Sequence, residues 1–251
     1  MKIAIVTLAG VSNRFNEGML ECEHILKGIY TTGGYRQTLL YSILKKCEGI
    51  DKVVIVGGYQ YQKLVEYIDI CRNDFLFQIE LVFNPEYKKY GTGYTLKLGL
   101  EKCVAEENCT EIILIEGDLY FDAESFQEVV CSTKNVATYN LKSIDARKAV
   151  IAYVNEEYKL NYVYSTEHNA IIISEKIWEI YNSGQIWKFV NMECIKQLLV
   201  ENTLDLWCST NLKFIEQYFS KVSRNEREML VLKDWENCNT REDYENCMHL
   251  L

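Results

Sequence analysis

Proline is almost absent from this 251-residue chain; Pro85 is the only one. No Gly/Ser-rich linker, low-complexity tract or internal repeat interrupts it either, so nothing in the composition marks a second domain. Histidine is scarce, with three residues. None of the ten cysteines forms a C-x-x-C pair, and the closest two, Cys103 and Cys109, have no metal-ligand neighbour in sequence. That disfavours a zinc site or a disulfide framework and leaves free thiols as the expectation. Basic residues are outnumbered 27 to 36, giving a net charge of −9, which argues against a broad electrostatic grip on nucleic acid. Apolar runs of the roughly 18 residues needed to cross a bilayer are missing, and the opening Ile3-Ala4-Ile5-Val6 is too short for a signal-peptide core. The expectation is a cytoplasmic protein with reduced thiols and no membrane insertion. Neither a Walker loop nor a G-x-G-x-x-G fingerprint occurs.

What is present is a globular composition, 48% hydrophobic and 25% charged, at a length near the upper end of what one core organises. In the first half, Ile3 to Leu8, Val53–Val56, Ile79–Phe83 and Ile112–Ile115 are continuous apolar runs, the pattern of strands covered on both faces. Between them Thr38–Cys47, Gln60–Cys71 and Thr92–Val104 carry apolar residues at helical spacing. Strands alternating with helices imply a mostly parallel sheet in a three-layer α/β/α arrangement. In the second half Val136–Leu141, Ala149–Val154, Tyr158–Tyr164, Ala170–Ile173 and Leu230–Leu232 suggest strands. Glu175–Tyr181, Lys188–Val200 and Asn211–Phe219 suggest helices. Thr240–Leu250 reads as a terminal helix, opened by a Thr240-to-Asp243 variant of the capping box.

Three short segments could carry chemistry. Thr7-Leu8-Ala9-Gly10-Val11-Ser12-Asn13-Arg14 follows the first strand. Ligands of open α/β sheets bind beyond the carboxyl ends of strands. Gly10 would admit close backbone approach, and Arg14 could hold a phosphate through two N–H groups. Glu116-Gly117-Asp118 ends the fourth strand, where carboxylates suit Mg²⁺ and the glycine between them would leave room for a ligand. Gly91-Thr92-Gly93 opens a helix and could meet a base or phosphate with its backbone, or simply cap the helix through Thr92. All three follow strands, so all could face one edge of one sheet.

Taken together these segments resemble the sugar nucleotidyltransferase superfamily with its GT-A-like, Rossmann-like fold. Leu8-Ala9-Gly10 and Arg14 resemble its L-A-A-G-x-G-x-R opening, with one alanine lost and Asn13 at the second glycine. Gly91-Thr92-Gly93 resembles the base-contacting G-T-A segment, Glu116-Gly117-Asp118 the acidic metal motif, and Thr240-Arg241-Glu242-Asp243-Tyr244 the terminal T-x-E-D-L/Y segment. Length and Val82-Phe83-Asn84-Pro85-Glu86-Tyr87 look most like phosphocholine and aminoalkyl-phosphate cytidylyltransferases. The resemblance implies one nucleotidyltransferase domain over residues 1–251, with a nucleotide-binding half (1–130) and an acceptor-binding half (131–251). It implies CTP, Mg²⁺, a small phosphorylated acceptor, pyrophosphate release, and a place in cell-surface polysaccharide or lipid precursor synthesis.

Carried onto this chain, the nucleotide would meet Leu8, Ala9, Gly10, Val11, Gly91, Thr92, Gly93 and Glu116, and the metal Asp118 and Asn239. Arg14, His24 and Lys27 would be catalytic. Two departures stand out: the lysine of the P-K-x-L segment falls on His24, with Lys27 three residues on, and Asn239 stands at the second metal acid. The acceptor would meet Arg147, Lys148 and Tyr153 in a half rich in aromatics, among them Tyr158, Tyr162, Tyr164, Trp178, Tyr181, Trp187 and Trp207. Such rings could form a cage for a quaternary amine, or pack a core or homodimer face. A sugar-1-phosphate nucleotidyltransferase, a nucleotide-binding homologue with impaired catalysis, and a glycosyltransferase on the same fold remain open alternatives.

Overall fold

The computed structural model describes residues 1–146, 149–164 and 170–250. The first strand, β1 (Lys2–Leu8), is the middle of the parallel part of the sheet. It pairs in parallel with β2 (Lys52–Gly57) on one side and β4 (Glu111–Glu116) on the other. Ile3, Ala4, Ile5 and Val6 are fully buried; shielding a large aliphatic side chain this way is worth about 1.5–3 kcal/mol. Beyond β2 lies β3 (Gln78–Phe83), also parallel. Two helices, α1 (Leu39–Lys46) and α2 (Tyr61–Cys71), cover one face of this unit, and α3 (Thr92–Val104) covers the other. Thr38 caps α1, accepting from the Tyr41 N–H at 3.0 Å.

After β4 come a short strand β5 (Leu119–Phe121) and helix α4 (Ala123–Cys131). Then follow β6 (Asn135–Asn140), β7 (Ile151–Asn155), β8 (Leu160–Val163) and the long β9 (Ile177–Phe189). Helices α5 (Met192–Glu201), α6 (Leu204–Trp207) and α7 (Asn211–Ser220) pack with α3. The chain finishes with β10 (Arg227–Leu232), β11 (Trp235–Asn237) and α8 (Arg241–Cys247). The main sheet runs β10-β6-β9-β4-β1-β2-β3, with β9 antiparallel to β4 and β6. Two apolar clusters fill its two faces, so the architecture is the mixed, mostly parallel three-layer α/β/α expected.

The first-half elements lie where the apolar pattern puts them, but three expectations in the second half fail. Residues 175–181 are not a helix: from Ile177 the chain is strand, laddered on β7 through Ala152↔Tyr181 and Tyr153↔Ile180. Ile177, Trp178 and Ile180 are 38%, 60% and 41% exposed, so there is no core for a helical face to pack on, and aromatic and β-branched residues suit the ladder. The helix expected from Lys188 starts later, at Met192, capped by Asn191. Lys188 is a fully buried strand residue, its ammonium 2.7 Å from Glu111 and donating to the carbonyls of Val130 and Ser132. Ala170–Ile173 forms no strand. Strands β5 and β11, three residues each, and helix α4 have no counterpart among the expected elements.

The terminal helix opens as expected: Thr240 accepts from the Asp243 N–H at 3.1 Å, and Asp243 accepts from the Thr240 N–H at 2.8 Å. All ten cysteines are free thiols, seven of them buried.

Candidate active site

The carboxyl ends of β1 and β4 lie side by side, with Thr7 opposite Glu116. Each chain then turns into a loop, and a cavity of about 360 Å³ opens between them. Leu8, Ala9, Gly10, Ser12 and Arg14 line it from the first loop, Leu26 and Lys27 from the next segment, and Thr92 and Thr95 from α3. Glu116 and Asp118 line it from β4 and beyond, and Val150, Gln185, Asn237 and Asn239 from the second half. Antiparallel pairing of β5 with β11 brings Asn239 here, helped by the Cys238 N–H donating to the Asp118 carbonyl at 2.8 Å. Three residues in or beside the first loop and β9 hold left-handed backbone: Ser12 (φ 57°), Gln60 (φ 50°) and Gln185 (φ 57°). Two of them, Ser12 and Gln185, line the cavity itself, and such strain concentrates where surrounding structure over-determines a site.

Lys27 and Asp118 are its electrostatic centre. The Lys27 ammonium lies 2.5 Å from Asp118 Oδ2 and 3.3 Å from Asn239 Oδ1, and both Lys27 and Asp118 side chains are under one-fifth exposed. Arg14 Nη2 donates to the same Asn239 oxygen at 2.8 Å. The Lys27 N–H donates to Ser12 Oγ at 3.3 Å, fixing the segment that carries the lysine. Asp118 Oδ1 is buried with no hydrogen-bond partner, an open cost unless a ligand satisfies it. Glu116 accepts from Asn211 Nδ2 at 3.0 Å. Burial first, and the Asp118 charge second, raise its pKa to about 7, against the opposing effects of Asn211 and Lys27.

The expected residues divide accordingly. Leu8, Ala9, Gly10, Arg14, Lys27, Thr92, Glu116, Asp118 and Asn239 meet in one cavity. His24 does not: its Nε2 lies 3.2 Å from the Met19 carbonyl, outside the lining. Lys27, three residues further on, does line the cavity. Val11 flanks the loop without lining the cavity.

Gly91 and Gly93 do not offer their amides, which donate to the carbonyls of Cys208 and Ser209 at 2.9 Å each. A Cβ on either would strike those backbone atoms, so these glycines let α3 dock on the loop before α7. Thr92 does not cap α3; its hydroxyl donates to Asn211 Oδ1 at 3.1 Å and accepts from the Asn211 N–H at 3.0 Å. Gly117 leaves no room for a ligand either, since a Cβ there would lie 2.5 Å from Leu8 Cδ2 and 2.7 Å from the Thr7 carbonyl oxygen. Its role is close packing of β4 on β1.

On the acceptor side, Arg147 and Lys148 lie outside the described residues. Tyr153 is away from the cavity, its hydroxyl donating to Glu175 at 2.8 Å. Among the described residues the aromatics form no cage: Tyr162, Trp187 and Trp207 are core, with Trp187 Nε1 donating to Tyr162 at 2.6 Å, while Tyr158 stacks on Trp178 outside. A second cavity of about 660 Å³ shares Arg14, Asn237 and Asn239 with the first and adds Lys142, Ser143, Asp145, Asn182, Trp235 and Glu236. Sequence reading missed Asn211, Gln185 and this wall; Gln185 and the residues around Glu236 lie in or beside strands with no motif of their own.

Among the described residues no three His, Cys, Asp or Glu side chains converge as a metal cluster. Mg²⁺ is nevertheless held in many nucleotide sites by one or two carboxylates together with substrate phosphates and water. The unpartnered Asp118 Oδ1 fits that role, whereas the Asn239 oxygen already accepts from Arg14 and Lys27.

Residues 23–251 match the family described as "Domain of unknown function (DUF6564)". No curated protein matches the sequence. Among solved structures, the chain is similar to the inositol-1-phosphate CTP transferase from T. maritima, with 15% identity, a TM-score of 0.67, and coverage of 99% of this chain and 95% of that one. It is similar to HddC from Yersinia pseudotuberculosis complexed with GMP-PN, at 16% identity and TM-score 0.66 over 100% and 99% of the two chains. It is also similar to the CTP:phosphocholine cytidylyltransferase LicC from Streptococcus pneumoniae, at 16% identity and TM-score 0.62 over 99% and 98%. Over its whole length, therefore, the chain has the nucleotidyltransferase fold.

Proposed function

We propose that this chain, which belongs to the DUF6564 family, is a nucleotidyltransferase that moves a cytidylyl group from CTP to the phosphate of a small phosphorylated acceptor. The observation that carries the reading is the Lys27–Asp118–Asn239–Arg14 cluster at the carboxyl ends of β1 and β4. It sets two cations beside a carboxylate oxygen with no partner.

An acceptor phosphate oxygen attacks the α-phosphorus of CTP in line. A new P–O bond forms, the bond from the α-phosphorus to the bridging oxygen breaks, and pyrophosphate leaves with the electron pair. No covalent enzyme intermediate is needed, so the protein positions the two phosphates and stabilises charge on the transferring group. Lys27 supplies a fixed positive charge at the α-phosphate, where desolvation strengthens it. Arg14, shared by the two cavities, is placed to bridge nucleotide and acceptor phosphates with its planar fork. Mg²⁺ held by Asp118 would neutralise triphosphate charge and support the leaving group. The second cavity is the acceptor's place, with Lys142 at its rim.

The test is pyrophosphate release with Mg²⁺, each of the four NTPs, and a panel spanning phosphocholine, phosphoethanolamine, 2-aminoethylphosphonate and sugar-1-phosphates. Acceptor-dependent release with CTP supports the reading. Release with a sugar-1-phosphate and another NTP would replace it with the sugar nucleotidyltransferase alternative.

A further inference from the structure

We infer that Glu116 reads the exocyclic amino group of the nucleobase and thereby sets CTP above UTP and dTTP; the inference rests on the nucleotidyltransferase reading of the same cavity. Its positive charge is concentrated at one end, where Lys27 and Arg14 converge on Asn239. A triphosphate enters there, which leaves the base for the rest of the lining: Leu8, Ala9, Thr92, Thr95 and Glu116. Among these Glu116 is the one charged side chain, and Asn211 links it to Thr92.

Its hydrogen bonding is fixed from behind. Asn211 Oδ1 accepts from Thr92 Oγ1 at 3.1 Å and from Thr210 Oγ1 at 3.2 Å. The amide of Asn211 is thereby oriented with its NH₂ toward Glu116, to which it donates at 3.0 Å. Lys27, the nearest cation, is taken up by Asp118 and Asn239. The remaining lone pairs of Glu116 are turned to the cavity it lines, and the Asn211 side-chain N–H behind it favours the ionised form, which accepts but does not donate. Cytosine N4–H₂ supplies the matching donor. Uracil and thymine present a carbonyl oxygen at that position, so acceptor faces acceptor and both lose their partners to water.

The experiment is calorimetric binding of CTP, UTP and 2-pyrimidinone ribonucleoside triphosphate, which lacks only the amino group of CTP, to the full chain and to Glu116→Gln. Binding of Mn²⁺ alone is followed by electron paramagnetic resonance. The unaltered chain is expected to bind CTP at least ~10-fold tighter than either competitor. Glu116→Gln, whose amide can donate, is expected to bring all three within about threefold while Mn²⁺ affinity stays within about twofold. Equal binding of CTP and the 2-pyrimidinone analogue by the unaltered chain overturns the inference, and that comparison decides the matter even if the variant does not fold. A preference for CTP that survives Glu116→Gln overturns it as well, and loss of Mn²⁺ binding in that variant would make Glu116 a metal ligand instead. If no triphosphate binds at all, the nucleotidyltransferase reading itself falls.

Discussion

The two halves of this molecule share one sheet but divide the chemistry unequally. Strands β1 to β4 are parallel and end together, and they or the loops after them supply Arg14, Lys27, Glu116 and Asp118. The second half threads an antiparallel strand, β9, into the same sheet and returns through β10 and β11. Its contribution is a wall: Gln185, Asn237 and Asn239 at the first cavity, and Lys142, Trp235 and Glu236 at the second. Besides the β4–β9 ladder, two seams between loops join the halves, the Gly91–Ser209 contact and the Cys238–Asp118 hydrogen bond. The difference teaches that the charged groups of the first cavity come from parallel strand ends and the loops after them, while the wall of the second is built from irregular returns.

The largest effect expected from testing this division is at Lys27. Lys27→Met should lower turnover at least ~10²–10³-fold, the usual loss on removing one preorganised electrostatic contact, with the circular dichroism spectrum unchanged. His24→Met, outside the cavity, should leave turnover within about threefold. Equal losses in both variants would move the site away from the first-half strand ends.

Next comes pH. In the metal-free, nucleotide-free protein, Glu116 is raised from 4.5 to about 7. Between those values the unfolded chain gives up this proton while the folded one keeps it, so stability falls as pH rises through the window and levels off above it. The span is at most about 3 kcal/mol. Urea midpoints of the parent and Glu116→Gln should diverge at pH 5 relative to pH 8, with the variant lacking this decline; parallel profiles would contradict the burial of that carboxyl.

The first seam is tested by Gly91→Ala. Its Cβ would lie 2.3 Å from the Ser209 carbonyl oxygen, and backbone cannot give way as a side-chain end can, so a loss of about 1–3 kcal/mol is expected. Denaturation unchanged from the parent would mean the halves are not docked there. The smallest effect belongs to the second-half arm. Trp178, 60% exposed, stacks on Tyr158 outside both cavities, and Trp178→Ser should shift stability by no more than about 0.5 kcal/mol and leave turnover alone.

The same contrast governs what could be read from sequence. Strands β1, β2 and β4 are covered on both faces, so their apolar runs are unbroken, and their carboxyl ends point to the site without further information. β9 passes from exposed Trp178 to fully buried Trp187 and Lys188 along one strand. No single periodicity survives that change of surroundings, and its first turn of residues resembled a helix. In the site, Lys27, Asp118 and Asn239 lie in segments that the motif order singles out, while His24, three residues before Lys27, does not line the cavity. Asn211 was invisible because its role depends on α7 being packed against the start of α3. The glycines of Gly91-Thr92-Gly93 and Gly117 were legible as necessary, but for close packing rather than for a ligand.

The most direct measurement is ³¹P NMR of the full chain with CTP, Mg²⁺ and the acceptor that supports pyrophosphate release. The account predicts pyrophosphate and a new diphosphate-linked cytidylyl product growing in equal amounts, only with acceptor present and not in Lys27→Met. Inorganic phosphate or CMP appearing without a linked product, or product formation undiminished in Lys27→Met, would contradict it.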